Sequence, residues 1–346
     1  MKIVHIIYSF NTGGAETMLI DILNEQAKTE DVTLIIINDS KSESLINEID
    51  KKIKIKYLKR KESSKSFIPF IKLNLLLWRL TPNAVHIHNE SICAVVLPRI
   101  SRSLFLTVHA LQVSMKHAKR AKCLFAISDA VKDDILNRGD FNVKVIPNGI
   151  NLDKISKKEN TELGVDKKTR IIQVARLVSD KKGQDILIDA ISILQEKGYN
   201  NVYVDFIGTG PSEEALRKQA EEKQVADKIN FLGLRDRKYI YEHLKDYDLM
   251  CHPARYEGFG LTVAEGMAAM LPVLVSNEGG PYEIIGKGEY GYSFKMEDAK
   301  DCADKIEHIL SNNSEAQKKT LTGYEHVKKN YSVVRMVKEY IEAYKK

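Results

Sequence analysis

The chain has 346 residues, of which 43% are hydrophobic and 29% are charged. This balance is typical of a globular protein with buried cores, and it excludes a disordered or fibrous chain. The formal net charge of +6 fits a polyanionic ligand, a phospholipid surface or nucleic acid, and does not choose among them. The length favours about two domains.

Cysteines and apolar segments indicate the compartment. Cys93, Cys123, Cys251 and Cys302 are scattered, without a C-x-x-C pair or a histidine at metal-ligand spacing, so they indicate core residues in a reducing environment. The first residues predict a strand and lack the features of a signal peptide. No apolar run reaches the roughly 18 residues of a membrane-spanning helix. We therefore expect a cytoplasmic protein.

Short apolar segments rich in β-branched residues alternate with amphipathic segments along the chain. In the first half we predict strands at 2–8, 32–37, 85–88, 104–108 and 123–127, and a helix at 16–28. In the second half we predict strands at 171–174, 202–207, 228–231, 249–252 and 272–275, with helices at 184–197, 213–223 and 332–344. This alternation predicts two doubly wound α/β domains with parallel sheets, joined within the polar stretch 151–168.

Two features of the first half can touch a ligand. The loop Gly13-Gly14-Ala15-Glu16 joins the first strand to the first helix, where backbone N–H groups can meet a phosphate. His109 follows the strand at 104–108 and is either a hydrogen-bond partner for a reacting sugar or an interior histidine, the commoner fate of a lone histidine. His86 and His88 alternate on one strand, which indicates sheet packing and edge contacts.

A basic stretch precedes an apolar helix in the first half. One acid, Glu62, stands among the basic residues Lys51, Lys52, Lys54, Lys56, Lys59, Arg60, Lys61 and Lys65, and the segment 67–80 with Trp78 follows. This pairing suits an anionic membrane surface. A solvated sheet edge with a helix packed on the sheet is the alternative, and both stay open. A second basic cluster favours the membrane slightly: Lys116, Lys119, Arg120 and Lys122.

The most informative segment of the second half is 256–266, which follows the strand at 249–252. Gly258 and Gly260 let the backbone turn tightly and approach a ligand, and the next helix directs its N–H groups toward it. Glu257 can accept hydrogen bonds from sugar hydroxyls, and Glu265 can bind a ribose diol. A glycine-rich turn with a solvated glutamate is the alternative.

Three further segments lie at strand ends. Arg176 and Lys182 can neutralise a diphosphate without a metal ion, or they belong to a basic surface loop. The turn 208–210 lacks the third glycine of a dinucleotide motif, because residue 213 is glutamate, so a nicotinamide cofactor is disfavoured. The acidic triplet 246–248 leads directly into a strand, so we interpret it as strand-entry polarity rather than a metal site.

In their order along the chain these motifs resemble glycosyltransferase family 4, the retaining glycosyl transferases of group 1 with the GT-B fold. Glu257 and Glu265 match the E-x7-E pattern of that family. Other matching segments are Gly13-Gly14-Ala15-Glu16, Ile127-Ser128 with Val131-Lys132, Pro147-Asn148-Gly149-Ile150, Arg176 with Lys182-Gly183, Gly208-Thr209-Gly210 and Phe231-Leu232-Gly233. The sequence departs from the family at Lys181-Lys182, where the basic loop is one residue longer, and at Asn151, where many relatives have aspartate.

The resemblance implies two Rossmann-like domains that face a central cleft. The acceptor domain is expected at 1–163, the nucleotide-sugar domain at 164–331, and a helix that crosses back to the first domain at 332–346. It implies catalytic roles for Glu257, His109, Arg176 and Lys182. The implied donor-binding residues are Gly13, Gly14, Ala15, Arg176, Lys182, Gly208, Gly258, Phe259, Gly260, Leu261, Thr262 and Glu265.

The resemblance also implies a reaction. A hexose or N-acetylhexosamine passes from a nucleotide diphospho-sugar, with UDP expected first and GDP next, to a saccharide or lipid-linked acceptor. The product belongs to a cell-surface polysaccharide or glycolipid. We expect no cofactor, no metal ion and no nucleic acid, and a location in the cytoplasm or on the inner face of the membrane. The alternatives are a non-catalytic sugar-nucleotide-binding protein of the same fold, or a sugar-nucleotide epimerase.

Overall fold

A computed structural model describes residues 1–11, 13–159, 162–164 and 166–346. The chain forms two compact units, one of Met1–Ile150 with Ser332–Lys346 and one of Asn151–Tyr331. The expected domain boundary between residues 163 and 164 falls inside the second unit, and the assignment of a role to each domain stays a prediction.

The first 150 residues contain seven strands and five α-helices among the residues that the structure describes. In chain order they are Lys2–Ile7 (β1), Gly14–Gln26 (α1), Asp31–Asn38 (β2), Glu43–Asn47 (α2), Lys54–Arg60 (β3), Ile68–Leu80 (α3), Ala84–Ile87 (β4), Ile92–Val95 (α4), Leu104–Val108 (β5), Cys123–Ala126 (β6), Asp129–Leu136 (α5) and Val143–Val145 (β7).

The second unit repeats the alternation. Its elements are Thr169–Val174 (β8), Ser179–Lys182 (α6), Gln184–Glu196 (α7), Val202–Ile207 (β9), Glu213–Glu222 (α8), Ile229–Phe231 (β10), Arg237–His243 (α9), Leu249–His252 (β11), Leu261–Ala268 (α10), Val273–Ser276 (β12), Gly279–Ile284 (α11), Tyr292–Phe294 (β13), Ala299–Ser311 (α12) and Asn313–Asn330 (α13). The last helix, Val333–Lys345 (α14), belongs to the first unit.

Each unit holds one parallel sheet. The strand order is β3-β2-β1-β4-β5-β6-β7 in the first unit and β10-β9-β8-β11-β12-β13 in the second. Strands β1, β4 and β5 are buried at every position, apart from Lys2, as expected for a sheet covered on both faces. The prediction of two doubly wound domains is therefore confirmed.

The basic stretch of the first half contains strand β3, which the sequence analysis did not predict. It lies at the edge of its sheet, where Ile55 and Tyr57 are half-buried and Lys54 and Lys56 are exposed. Lysines on an edge strand oppose pairing with another chain. Strand β3 therefore accounts for part of the basic charge as a solvated edge.

Helix α3 follows that strand and has two apolar faces. Its buried face carries Pro69, Leu73 and Leu77. Five other large apolar side chains of this segment are exposed: Phe67, Ile68, Ile71, Leu75 and Trp78. Among the described residues, no helix combines the length and apolar character that a bilayer crossing requires.

Candidate functional site

Three loops of the second unit meet at one sheet edge. Strands β9, β8 and β11 are neighbours in the sheet, and the carboxyl ends of parallel strands share one edge. The loops that follow these strands contain Gly208, Arg176 and Glu257, respectively. The sheet therefore brings together three sequence segments that were predicted as separate parts of one site.

A cation and a carboxylate form the centre of this edge. The ammonium of Lys182, at the end of α6, contacts the Oε2 atom of Glu257. The Nε2 atom of His252, the last residue of β11, lies 3.6 Å from the same oxygen. His252 is buried, and its Nε2 makes no hydrogen bond to any described group. Glu257 is thus held between two basic side chains.

The same contacts keep Glu257 ionised. Burial opposes its ionisation, but the neighbouring His252 imidazole and Lys182 ammonium outweigh that effect and lower the pKa of Glu257 to about 2. At neutral pH the carboxylate accepts hydrogen bonds and donates none. It can therefore accept from hydroxyl groups, as a sugar requires.

The backbone of the cationic loop is fixed by two buried amides that the sequence analysis missed. The Nε2 group of Gln173, on β8, donates to the Lys182 carbonyl at 2.7 Å. The Nε2 group of Gln184, at the start of α7, donates to the Arg176 carbonyl at 3.1 Å. A glutamine at the apolar end of a strand is the one sequence signal that marks Gln173. These hydrogen bonds fix the backbone positions from which the Arg176 and Lys182 side chains extend.

The guanidinium of Arg176 is exposed. It makes no hydrogen bond or ion pair with another side chain in the described part of the chain. A planar fork of donors without such a partner is suited to phosphate. Arg176 therefore adds an available positive charge beside the pair formed by Lys182 and Glu257.

The two adjacent lysines are distinguished by their contacts. The Lys181 carbonyl accepts from the backbone N–H groups of Arg255 and Tyr256, both at 3.0 Å. Its ammonium lies 5.9 Å from the centre of the Tyr256 ring. Only Lys182 of the pair contacts Glu257. This geometry favours Lys182 over Lys181 as the lysine that meets the phosphate, and Lys182 is also the lysine that the family resemblance implied.

Two glycines allow the loops to approach closely. Gly208 has φ +139°, and a Cβ atom there would lie 2.0 Å from the Ala175 carbonyl oxygen. Gly260 has φ +96° and precedes α10, and a Cβ atom there would lie 2.9 Å from the Pro281 side chain. A side chain at either position would force the loops apart. For Gly208 this packing is a structural reason for glycine besides any ligand contact.

The rest of the glycine-rich turn is buried or begins the next helix. Gly258 and Phe259 are buried, and the Phe259 ring packs edge-on against Tyr331 at 5.7 Å between ring centres. Leu261 and Thr262 form the first turn of α10. The backbone N–H of Gly280 donates to the Glu257 carbonyl at 3.1 Å. Gly280 was not predicted from the sequence, and its signal is a glycine pair at the start of the helix that follows β12.

Glu265 lies on α10 and is 7% exposed. Its Oε1 atom accepts a hydrogen bond from the Tyr241 hydroxyl at 3.0 Å. Tyr241 in turn accepts from Nε of Arg237 at 2.6 Å. This buried carboxylate is positioned by protein groups, and the alternative of a solvated surface glutamate is wrong.

The acidic triplet is occupied by the protein's own groups. Asp248 forms an ion pair with Lys158 at 2.8 Å, and its other oxygen accepts from the Arg170 backbone N–H at 2.8 Å. Asp246 lies 2.8 Å from Nδ1 of His243. These contacts anchor the entry of strand β11, in line with the interpretation as strand-entry polarity.

The first unit carries the remaining candidates at the carboxyl edge of its own sheet. Gly13 caps helix α1 in an extended conformation, and Gly14 and Ala15 begin that helix. His109 follows β5, and its Nε2 atom lies 3.0 Å from Nδ1 of His88. Burial lowers the pKa of His109 to about 4, so its imidazole is neutral at pH 7.

The structure places His86 and His88 differently from simple sheet packing. Both are buried and hydrogen-bonded through both ring nitrogens. Their partners are His5 on β1, Thr107 on β5, His109 after β5 and Tyr344 on α14, which are far apart in the sequence, so no local pattern reveals them.

Comparison with protein families is consistent with this geometry. Residues 12–154 match Glycosyltransferase Family 4, and residues 155–325 match Glycosyl transferases group 1. Each match covers one half of the chain, and the two follow each other directly.

Two curated relatives carry specific names. Poly(ribitol-phosphate) alpha-N-acetylglucosaminyltransferase of Staphylococcus aureus (strain COL) is 24% identical over 232 residues, which are 66% of this chain and 45% of the relative. Phosphatidyl-myo-inositol mannosyltransferase of Mycobacterium leprae (strain TN) is 29% identical over 191 residues, 55% of this chain and 50% of the relative. This chain spans about half the length of these curated relatives.

Solved structures share the fold. The Anabaena protein HepE, in complex with UDP and glucose, superimposes with a TM-score of 0.83 at 21% identity, covering 99% of each chain. With both halves matched to family sequences and the fold shared along nearly its full length, this chain belongs to the glycosyl transferases of group 1, the family 4 glycosyltransferases of GT-B fold.

Proposed function

We propose that this protein transfers a hexose or N-acetylhexosamine from a nucleotide diphospho-sugar, with UDP as the favoured nucleotide, to a saccharide or lipid-linked saccharide. The anomeric configuration of the sugar is retained. The product belongs to a cell-surface polysaccharide or glycolipid.

The observation that carries this proposal is the grouping of Lys182, Glu257 and Arg176 at one sheet edge of the second unit. Cleavage of the bond between sugar and diphosphate leaves negative charge on the diphosphate. Preorganised cations at the leaving group lower the energy of that transition state. Arg176 and Lys182 supply the positive charge, and Glu257 accepts hydrogen bonds from the sugar.

The pairing of Lys182 with Glu257 gives this site an order of events. Before the donor binds, the ammonium neutralises the carboxylate. A diphosphate carries more negative charge than one carboxylate, so it competes for Lys182 and leaves Glu257 available to the sugar hydroxyls. Glu265 accepts from the ribose hydroxyls, since one carboxylate can accept hydrogen bonds from both hydroxyls of a diol.

Relatives support the classes of donor and acceptor. HepE was solved with UDP and glucose. The two curated relatives are named for transfer of N-acetylglucosamine to poly(ribitol-phosphate) and of mannose to phosphatidyl-myo-inositol. Both names describe transfer of a sugar to a hydroxyl-bearing phosphate ester, which is a polymer in one relative and a lipid in the other. In this chain His109, a neutral imidazole, is the candidate partner for a hydroxyl of the transferred sugar.

Helix α3 supports peripheral binding to an anionic membrane. Ile68, Ile71, Leu75 and Trp78 recur at helical spacing and are each about half or more exposed. Lys61, Lys65, Lys72 and Arg79 flank this apolar stripe and are also exposed. An exposed apolar face beside basic residues suits the boundary between headgroups and acyl chains of an anionic bilayer.

The proposed function is tested with a panel of UDP-, GDP- and ADP-sugars. We expect one sugar nucleotide to raise the melting temperature, because it binds the folded state, and to release its nucleotide slowly by hydrolysis. Stabilisation without nucleotide release or sugar transfer would identify a non-catalytic binding protein. Conversion of one sugar nucleotide into another would identify an epimerase. The anomeric configuration of a transferred sugar, read by NMR, tests retention.

A further inference from the structure

Four histidines of the first unit lie on one face of its sheet. His5 on β1 is the direct register partner of His86 on β4. His88 and His109 follow the ends of β4 and β5. His88 stands two positions after His86, so their side chains share a face. Residues from α1 and α14 contact this group.

A series of hydrogen bonds, which we call the first arm, connects His109 through His88 and His5 to Gln26 in the core. Nε2 of His109 lies 3.0 Å from Nδ1 of His88. Nε2 of His88 lies 3.1 Å from Nδ1 of His5. Nε2 of His5 lies 2.8 Å from Oε1 of Gln26, the last residue of α1. Every link is within hydrogen-bond distance.

A second arm holds the Gln26 amide. Its Nε2 group donates to the Tyr344 hydroxyl at 3.5 Å. Tyr344, on α14, lies 2.6 Å from Nδ1 of His86. Nε2 of His86 lies 2.6 Å from the Thr107 hydroxyl. Gln26 is 0% exposed, so its amide has no solvent with which to exchange these partners.

The Gln26 amide determines which atom donates and which accepts at each hydrogen bond of the first arm. A carbonyl oxygen only accepts, so Nε2 of His5 must carry the proton, and its Nδ1 must accept from His88. By the same rule His88 is protonated on Nε2 and accepts at Nδ1 from Nε2 of His109. A neutral imidazole carries one N–H, so Nδ1 of His109 has none. Rotating the amide by half a turn would reverse every link.

We propose that Gln26 is a positioning residue that, through His5 and His88, holds His109 in the Nε2–H tautomer. Nδ1 of His109 then serves as a hydrogen-bond acceptor for a hydroxyl of the transferred sugar. Only this second part rests on the proposed function. Which nitrogen of a histidine is protonated is commonly set by the partner of the other nitrogen.

This order of donors and acceptors requires neutral imidazoles, and burial makes them neutral. Burial lowers the pKa of His5 and of His109 to about 4. The pKa values of His86 and His88 are also lowered, first by burial and then by the neighbouring histidines. A protonated member would donate from both nitrogens and break the sequence of alternating donors and acceptors.

Three of these histidines could also be taken for a metal site. One nitrogen from each of His5, His86 and His88 lies within 4.8 Å of the others. Both nitrogens of each ring, however, are already hydrogen-bonded to described groups. A metal ion would require lone pairs that these bonds use, so the hydrogen-bonded arm explains the cluster without one.

NMR of the full-length protein labelled with ¹⁵N-histidine tests the proposal. Long-range ¹H–¹⁵N spectra at neutral pH report which ring nitrogen is protonated. We expect His5, His88 and His109 all as the Nε2–H form. In Gln26→Met, which keeps the chain length without polar atoms, we expect His109 to populate both tautomers. Gln195→Met, at a half-buried glutamine of the second unit, is the matched control and should leave these signals unchanged.

The outcomes separate the two parts of the proposal. The Nδ1–H form of His109 in the wild type overturns it, and this result does not depend on whether any variant folds. One unchanged tautomer in Gln26→Met, or bound zinc at one ion per chain, also overturns it.

A mixed tautomer with a roughly tenfold lower kcat/KM, the size expected of one lost hydrogen bond, supports both parts. A mixed tautomer with unchanged transfer overturns the sugar contact alone. Absence of any sugar-nucleotide reaction removes the proposed function, while the spectra still decide the tautomer.

Discussion

The two units prepare their candidate residues in opposite ways. At the sheet edge of the second unit, Glu257 is ionised between Lys182 and His252. In the first unit, His109 belongs to an arm of imidazoles that burial keeps neutral. The candidate residues at the sheet edge of the second unit are charged, whereas the buried histidines of the first unit are neutral.

This difference corresponds to two kinds of recognition. A diphosphate is best bound and stabilised by cations, because its charge is large and grows as it leaves. A sugar presents neutral hydroxyls, which are distinguished by the direction of hydrogen bonds rather than by charge. We infer that the second unit provides charged groups for the diphosphate. The first unit provides a hydrogen-bond acceptor of fixed direction for a sugar hydroxyl. The predictions below test this contrast.

The largest effect is expected for Glu257→Gln. The amide cannot replace an ionised acceptor beside Lys182, so kcat should fall on the order of 100-fold or more, with the melting temperature little changed. Because the pKa of Glu257 is about 2, its protonation should not affect wild-type activity near neutral pH. The control is Glu297→Gln, another carboxylate in contact with this loop through Arg255, which should stay close to wild type. Equal losses in both variants would contradict a specific role for Glu257.

A smaller effect is expected for His109→Gln. Loss of a correctly directed acceptor should lower kcat/KM about tenfold. Burial lowers the pKa of His109 to about 4, so the neutral form predominates above that pH and is lost only as the pH falls through it. The wild-type pH–rate profile between about pH 6 and pH 8 should therefore contain no inflection that the variant lacks. An inflection in this range that disappears in His109→Gln would show that His109 titrates near neutral pH. It would contradict the neutral imidazole on which the comparison of the two units depends.

A few-fold effect is expected at the exposed face of helix α3. The double variant Ile71→Ser with Trp78→Ala should reduce co-sedimentation with vesicles that contain anionic lipid, because it removes apolar area from the proposed contact. Leu234→Ala, which removes an exposed apolar side chain from the second unit, should bind as the wild type does. Equal binding of the wild type to neutral and anionic vesicles would remove the membrane proposal.

No effect is expected from a chelator. In the proposed site Arg176 and Lys182 supply the positive charge at the leaving diphosphate, and Asp248 is engaged by Lys158 and the Arg170 backbone. Transfer activity in excess chelator should equal the untreated rate. Complete loss with recovery on addition of Mn²⁺ would show that the second unit needs a metal ion to provide its charge.

The sequence predicted the framework because the signals of the framework are local. The strands at 104–108, 202–207 and 249–252 have the predicted bounds, since short runs of buried apolar residues distinguish them. Strand β3 was missed because its lysines conceal the alternation of Ile55 and Tyr57 with exposed positions. Strands β7 and β13 were also missed, and each has only three residues.

The contacts that define the candidate site are not local. Lys182 and Glu257 are separated by 75 positions in the sequence, so their pairing follows only from the order of β8 and β11. Gln26 and Tyr344 are 318 positions apart. The resemblance to a family named Glu257 and His109, but it gave no indication of His252 or Gln26. Side chains that position other side chains have no sequence signal until the sheet register is known.

The central claim is that the sheet edge of the second unit binds the diphosphate of the donor through Lys182. Calorimetric titration of UDP into the wild type, Lys182→Ala and Lys181→Ala tests it most directly. We expect Lys182→Ala to weaken UDP binding at least about tenfold, because it loses a charge-assisted hydrogen bond, and Lys181→Ala to bind within about twofold of the wild type. Equal affinity in the wild type and Lys182→Ala, or no UDP binding by a folded wild-type protein, would contradict it.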